Sequence, residues 1–153
     1  MRITMTRRHA IVAVALTAAF GLMLPRQPWA DELIKATLYK NPQCGCCAEY
    51  AKYLGQNGFD VTIVESFDLP SVKRQNGVPE ALEGCHTTVV GGYVVEGHVP
   101  VATIKRLLSE KPAIKGVSLP GMPQGSPGMM GEKTGPFTIY EISDGAFKVY
   151  ATE

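Results

Sequence analysis

Ile34-Lys35-Ala36-Thr37-Leu38-Tyr39-Lys40-Asn41-Pro42-Gln43-Cys44-Gly45-Cys46-Cys47 is the stretch that decides how this chain folds. Its first half, Ile34 to Tyr39, is rich in apolar and β-branched residues and runs into Asn41-Pro42-Gln43, so it reads as a strand ending in a loop. From Cys47 the apolar positions are Cys47, Tyr50, Ala51 and Leu54. That is the spacing of one helix face, and Gly55 with Gly58 supplies the stop. The cysteines therefore sit at a strand-loop-helix junction.

Working outward, Phe59, Val61 and Ile63 alternate as a second strand, and Asp68-Leu69-Pro70 opens a short helix that ends at Asn76-Gly77. A helical turn or loop over Val78 to Gly84 leads to Cys85. His86 to Val90 and Tyr93 to Val95 are β-rich runs joined by Gly91-Gly92, a two-residue linker suited to a tight hairpin. A third helix follows, with Pro100 in its first turn, Val101, Ile104, Leu107 and Leu108 as its buried stripe, and Pro112 as its stop. Residues Gly116 to Gly135, rich in Gly and Pro, are expected to form an irregular loop. Phe137 to Ile142 and Ala146 to Tyr150, linked by Ser143-Asp144-Gly145, read as a terminal hairpin. This order predicts an α/β fold: a thioredoxin-like domain with a C-terminal Gly/Pro/Met-rich loop and β-hairpin.

The 153 residues have room for one ordinary domain once a leader is set aside. Arg2, Arg7 and Arg8 precede the apolar run Ala10 to Leu24, which is followed by Pro25, Pro28 and the small residue Ala30. Residues 1–30 therefore read as an export signal cleaved near Ala30, with residues 31–153 as the single mature domain. The run of about 15 residues falls short of the roughly 20 needed to span a bilayer, so no membrane span is expected after cleavage. An uncleaved anchor is the alternative. Thr6-Arg7-Arg8 leaves twin-arginine export open beside the general route.

The leader takes four of the 15 basic residues (Arg2, Arg7, Arg8 and Arg26) and none of the 14 acidic ones, leaving a net charge near −3. No basic footprint for nucleic acid remains. All four cysteines stay in the mature part.

Cys44-Gly45-Cys46-Cys47 places three thiols at a helix start, where free backbone N–H groups and the positive dipole end should lower their pKa values. A thiolate is both nucleophile and soft-metal ligand, so this geometry serves redox exchange or metal capture. Cys44 and Cys47 have the C-x-x-C spacing of a dithiol redox centre, but a third thiol beside the pair could scramble their disulfide, whereas a metal cluster can use three thiolates together. Cys85, entering the hairpin's first strand, is expected to face the triplet and complete a four-sulfur site. A pair of structural disulfides is the bland alternative for an exported protein.

Thiolates without carboxylates suit Cu(I), Zn(II) or iron–sulfur clusters. Zinc sites usually come as two spaced pairs, unlike three thiols in one knuckle and a lone fourth, so zinc is the secondary candidate. The only methionines after the leader, Met122, Met129 and Met130, crowd into the Gly/Pro loop. Thioethers there suggest soft ligands or an adaptable cover over copper, against the ordinary use of methionine as core filler. His86, beside Cys85, and His98, in Gly97-His98-Val99-Pro100, are further candidate ligands, or groups that orient the ligands.

Taken together, Cys44-Gly45-Cys46-Cys47, Cys85-His86-Thr87, Gly97-His98-Val99-Pro100, Gly121-Met122-Pro123 and Ser126-Pro127-Gly128-Met129 resemble the CopG-type copper-resistance proteins of the bacterial periplasm. The resemblance spans nearly all of the mature chain. It implies a thioredoxin-like domain, a cysteine-bridged multinuclear copper site on Cys44, Cys46, Cys47 and Cys85, and a role in copper resistance by sequestration or by Cu(I)/Cu(II) conversion. The histidines and methionines match family motifs as candidate ligands. Copper ions are the expected partner, with periplasmic electron-transfer or copper-efflux proteins as further candidates. The alternative is a thiol-disulfide oxidoreductase using Cys44 and Cys47. Against it, thioredoxin-like folds usually carry a cis-proline facing the motif, and the corresponding stretch here is Cys85-His86-Thr87-Thr88.

Overall fold

In the computed structural model, which describes residues 32–153, β1 (Ile34–Lys40) is an interior strand. It pairs in parallel with β2 (Phe59–Glu65) on one side and antiparallel with β3 (Thr87–Val90) on the other. Its residues alternate, with Ala36, Leu38 and Lys40 buried on one face. The antiparallel register sets Tyr39 against Thr87. The loop leaving β1, which carries Cys44, and the segment entering β3, which carries Cys85, therefore lie at the same end of the sheet.

Helix α1 (Gly45–Gln56) connects β1 to β2 and buries Cys47, Tyr50, Ala51 and Leu54, the face its spacing predicts. Burial fades along β2 from Phe59 at 3% exposure to Ile63 at 45%, because β2 is an edge strand. Helix α2 (Leu69–Gln75) is capped by Asp68, whose side chain accepts from Ser71 N at 3.1 Å. A 3-10 turn at Glu80–Leu82 then leads to β3. Gly91 and Gly92, at φ +57° and +84°, make the turn into β4 (Tyr93–Glu96).

Helix α3 (Val101–Glu110) buries Val101, Thr103, Ile104 and Leu107. Leu108 is only partly buried, and Pro100 is the extended cap before the helix rather than part of its first turn. The main core joins Leu38, Tyr50, Leu54, Ile104, Leu107 and Ile139. Each such side chain stabilises the fold by about 1.5–3 kcal/mol through removal from water.

The sheet continues past β4 through β5 (Gly116–Ser118), β6 (Thr138–Ile142) and β7 (Val149–Thr152), giving one seven-stranded sheet in the order β2-β1-β3-β4-β5-β6-β7. This corrects the expected irregular loop at its start alone: Gly116–Ser118 is strand, and the stretch from Leu119 to Gly135 carries no helix or strand. Gly116 is paired with Val94, and an added Cβ would collide with the Val94 backbone, so this glycine marks close strand approach. The last strand begins at Val149 rather than Ala146, and the β6–β7 register shifts between Ile139 and Tyr140. Over the described residues the architecture is thus a mixed α/β fold with a seven-stranded sheet and three α-helices. The leader expected over residues 1–30 lies outside the described residues. Among those described, no helix is long and apolar enough to cross a membrane.

Candidate metal centre

The loop between β1 and α1 is held from below by Lys40. This buried side chain donates through Nζ to the carbonyls of Asn41 at 3.0 Å and Pro42 at 3.1 Å, and meets Glu65 Oε1 at 3.3 Å. Asn41 Oδ1 accepts from Gln43 N, and Cys44 N donates to Asn41 O, each at 2.9 Å. The loop delivers Cys44 to the N-cap position of α1, where its side chain makes no capping bond. Its sulfur is therefore left for other chemistry. Cys46 and Cys47 follow in the first turn, Cys47 fully buried.

Cys85 arrives from the far side of β1 and completes the group. Its Sγ lies 3.1 Å from that of Cys44, 3.2 Å from Cys47 and 3.5 Å from Cys46, and Cys44 and Cys46 are 3.4 Å apart. Cys44 and Cys47 are joined as a disulfide, while Cys46 and Cys85 are free thiols. Two electrons and two protons would convert this state into four thiols in one shell. Burial, reinforced by the hydrogen bond and charge of Cys46, pushes the Cys85 thiol up to about 12, against the pull of Lys73. A metal arriving here must displace the Cys85 proton.

Behind the sulfurs lies a second donor group, in which Cys85, His86 and His98 each offer an atom within 4.8 Å of the others. The imidazoles of His86 and His98 stand edge to face at 4.7 Å between centroids, and Tyr50 packs against both at 4.6 and 5.3 Å. Tyr50 is anchored by its hydroxyl, which donates to Val99 O at 2.7 Å. His98 Nδ1 lies 2.7 Å from Pro127 O, a carbonyl that can only accept, so Nδ1 carries the hydrogen and Nε2 keeps its lone pair. That Nε2 and both ring nitrogens of His86 are buried with no hydrogen-bond partner among the described residues. Buried polar atoms are normally satisfied, and a metal ion is one way to satisfy these. Burial first, then the neighbouring His98 and Lys73 charges, lowers the His86 pKa well below its ordinary value. Burial also lowers that of His98. Both rings therefore stay neutral, the form that ligates.

Sequence reasoning missed the polar network beneath Cys85. Lys73 and Glu96, both buried, form an ion pair, and Glu96 also accepts from Gly84 N and Thr87 Oγ1, each at 2.7 Å. Burial raises the Glu96 pKa, with Lys73, Thr87 and Gly84 pulling it back. The available signal was a charged residue inside the apolar run Tyr93 to Val99, where an unpaired charge would be too costly to keep.

The methionines divide. Met129 and Met130 line a groove of about 540 Å³ together with Gly45, Cys46 and Glu49, Met130 at its exposed rim, whereas Met122 does not line that groove. Gly128, at φ +81°, fits the loop onto α1, since a Cβ there would stand 2.7 Å from Tyr50 N and 3.0 Å from Cys46 O.

These features define a class: a mixed α/β protein whose cysteines, drawn from two distant segments, form a cluster able to hold a soft metal. Among solved structures, Form 2 of the copper resistance protein CopG matches with TM-score 0.73 and 38% identity, over 80% of this chain and 99% of that one. Form 1 matches with TM-score 0.72 at the same identity, over 80% and 98%. A family model described as a protein of unknown function, DUF411, matches residues 82–129, from the 3-10 turn through Cys85 to Met129. None of the curated proteins compared matches the chain. The chain belongs to the CopG copper-resistance protein family.

Proposed function

We propose that this protein binds copper in the periplasm, holding Cu(I) in a cysteine-bridged cluster and contributing to copper resistance by sequestration and by Cu(I)/Cu(II) conversion. In this reading residues 1–30 direct export, and residues 31–153 are a single thioredoxin-like domain. The thioredoxin-like assignment is supported by the β2-β1-β3-β4 order, with β1 parallel to β2 and antiparallel to β3, and by the cysteines at the start of α1. The two solved relatives are named copper resistance proteins, which supports copper as the metal.

One observation carries the reading: four sulfurs from residues 44–47 and 85 meet beside two histidines, and His98 Nε2 and both ring nitrogens of His86 have no hydrogen-bond partner among the described residues. Cys44, Cys46, Cys47 and Cys85 would hold the metal as thiolates, with His86 and His98 as neutral imidazole ligands beside them. A site of thiolates and neutral imidazoles suits both copper oxidation states. Met129 and Met130 offer soft donors where Cys46 faces the groove. The anaerobic test titrates the reduced chain with Cu(I) and Zn(II) in competition. More than one Cu(I) per chain, retained against zinc, is expected. A clear preference for zinc, or a single Cu(I), would sink the proposal.

The Cys44–Cys47 disulfide supports a second reading, thiol-disulfide exchange at the start of α1. Here Cys46 discriminates. If Cys46→Ser preserves exchange with a peptide disulfide and metal has no effect on it, the redox reading wins.

A further inference from the structure

We propose that Glu96, with Lys73, is a positioning residue for the cysteine cluster: one buried carboxylate ties down both ends of the Cys85-His86 segment. Glu96 Oε1 accepts from Gly84 N, the residue before Cys85, and Oε2 accepts from Thr87 Oγ1, the residue after His86. Lys73 fixes the carboxylate from the α2 side and reaches Thr87 Oγ1 at 3.4 Å. Thr87 and Glu96 are cross-strand partners, so the clamp is built into the β3–β4 register. Between the two ties lie the only cluster sulfur contributed from outside residues 44–47, and one histidine of the adjoining donor group.

The energetics favour a geometric role over a stabilising one. Burying an ion pair costs both partners their hydration, and an apolar pair of similar volume usually serves stability as well or better. What an apolar pair cannot do is accept the Gly84 N–H and the Thr87 hydroxyl. Without those bonds Gly84-Cys85-His86-Thr87 is held by backbone contacts such as Gly97 N to His86 O at 2.9 Å. Metal clusters need each ligand held close to its productive place, and groups that orient ligands commonly change metal affinity by about 10–100-fold.

The inference rests on the copper reading only for its consequence, so the test is made without metal. In a Cys44→Ser/Cys47→Ser background the two remaining thiols, Cys46 and Cys85, start 3.5 Å apart. A bifunctional reagent that fluoresces only on bridging two thiols, its rate divided by the rate of single alkylation of Cys85 in the same variant, measures how often they meet. Lys73→Met/Glu96→Leu, which removes the clamp and leaves no buried charge, is expected to keep its folded circular dichroism and to cross-link about tenfold more slowly, as loss of charge-assisted hydrogen bonds implies. Thr87→Val, which cuts one tie, is expected to slow it about threefold. The folded double variant cross-linking within about twofold of its parent overturns the proposal. Should the double variant fail to fold, unchanged cross-linking in Thr87→Val overturns it instead. A chain that binds no copper would defeat the proposed function and leave this result standing.

Discussion

The Sγ atoms of Cys44 and Cys85 lie 3.1 Å apart across 41 residues of sequence. The proximity follows from strand pairing: Tyr39 is set against Thr87, so the loop leaving β1 and the segment entering β3 lie at the same end of the sheet. Cys85 is thus the closing member of the site. Cys85→Ser should weaken Cu(I) binding by more than the roughly 10–100-fold typical of losing an outer-shell partner. Competition against a chromogenic Cu(I) chelator, with circular dichroism to check the fold, reads this out. Unchanged affinity would show that the triplet binds alone.

The Cys85 thiol, pushed up to about 12 mainly by burial, remains protonated through the neutral range. In the metal-free chain its alkylation at pH 8 should be at least about 100-fold slower than that of free cysteine, and should rise roughly tenfold per pH unit up to pH 11. Peptide mass spectrometry of the modified residue follows the rate.

Both histidines have pKa values below the ordinary range, so acid should destabilise the metal-free fold. The unfolded chain takes up protons below about pH 6.5 that folded His86 and His98 refuse, so stability is complete above that pH and declines below it by up to about 1.4 kcal/mol per unit for each ring. The charged and titratable neighbours are Lys73, Tyr50, Cys85 and the opposite histidine. Urea unfolding at pH 7.5 and 5.5 measures the loss. His86→Phe, which keeps an aromatic ring beside Tyr50, should reduce the dependence to the share of His98.

Gly128→Ala should destabilise the fold by roughly 1–3 kcal/mol, the scale of forcing a side chain into left-handed backbone against a close neighbour. It should also lift the methionine loop from α1, visible as faster proteolysis between Met122 and Met130.

The sequence made the site legible because its local signals agreed. The apolar spacing Cys47, Tyr50, Ala51 and Leu54 placed the triplet on a helix start, and Gly91-Gly92 placed Cys85 at the entrance of a hairpin. Strand β5 was hidden because three residues carry too little pattern, and Gly116 reads as a loop residue until its close approach to Val94 is seen. The Glu96 clamp was hidden for another reason. Lys73, Gly84, Thr87 and Glu96 come from separate elements, and no spacing rule links them. Likewise, only the fold reveals that Tyr50 packs on both histidines and that Pro127 O sets the His98 tautomer.

The most direct measurement is copper-edge X-ray absorption, with metal analysis, on the chain purified anaerobically from copper-exposed cells. Sulfur-dominated coordination with a copper–copper scattering path is the expected result. Copper bound by nitrogen and oxygen alone, or a chain that carries zinc and no copper, would contradict the account.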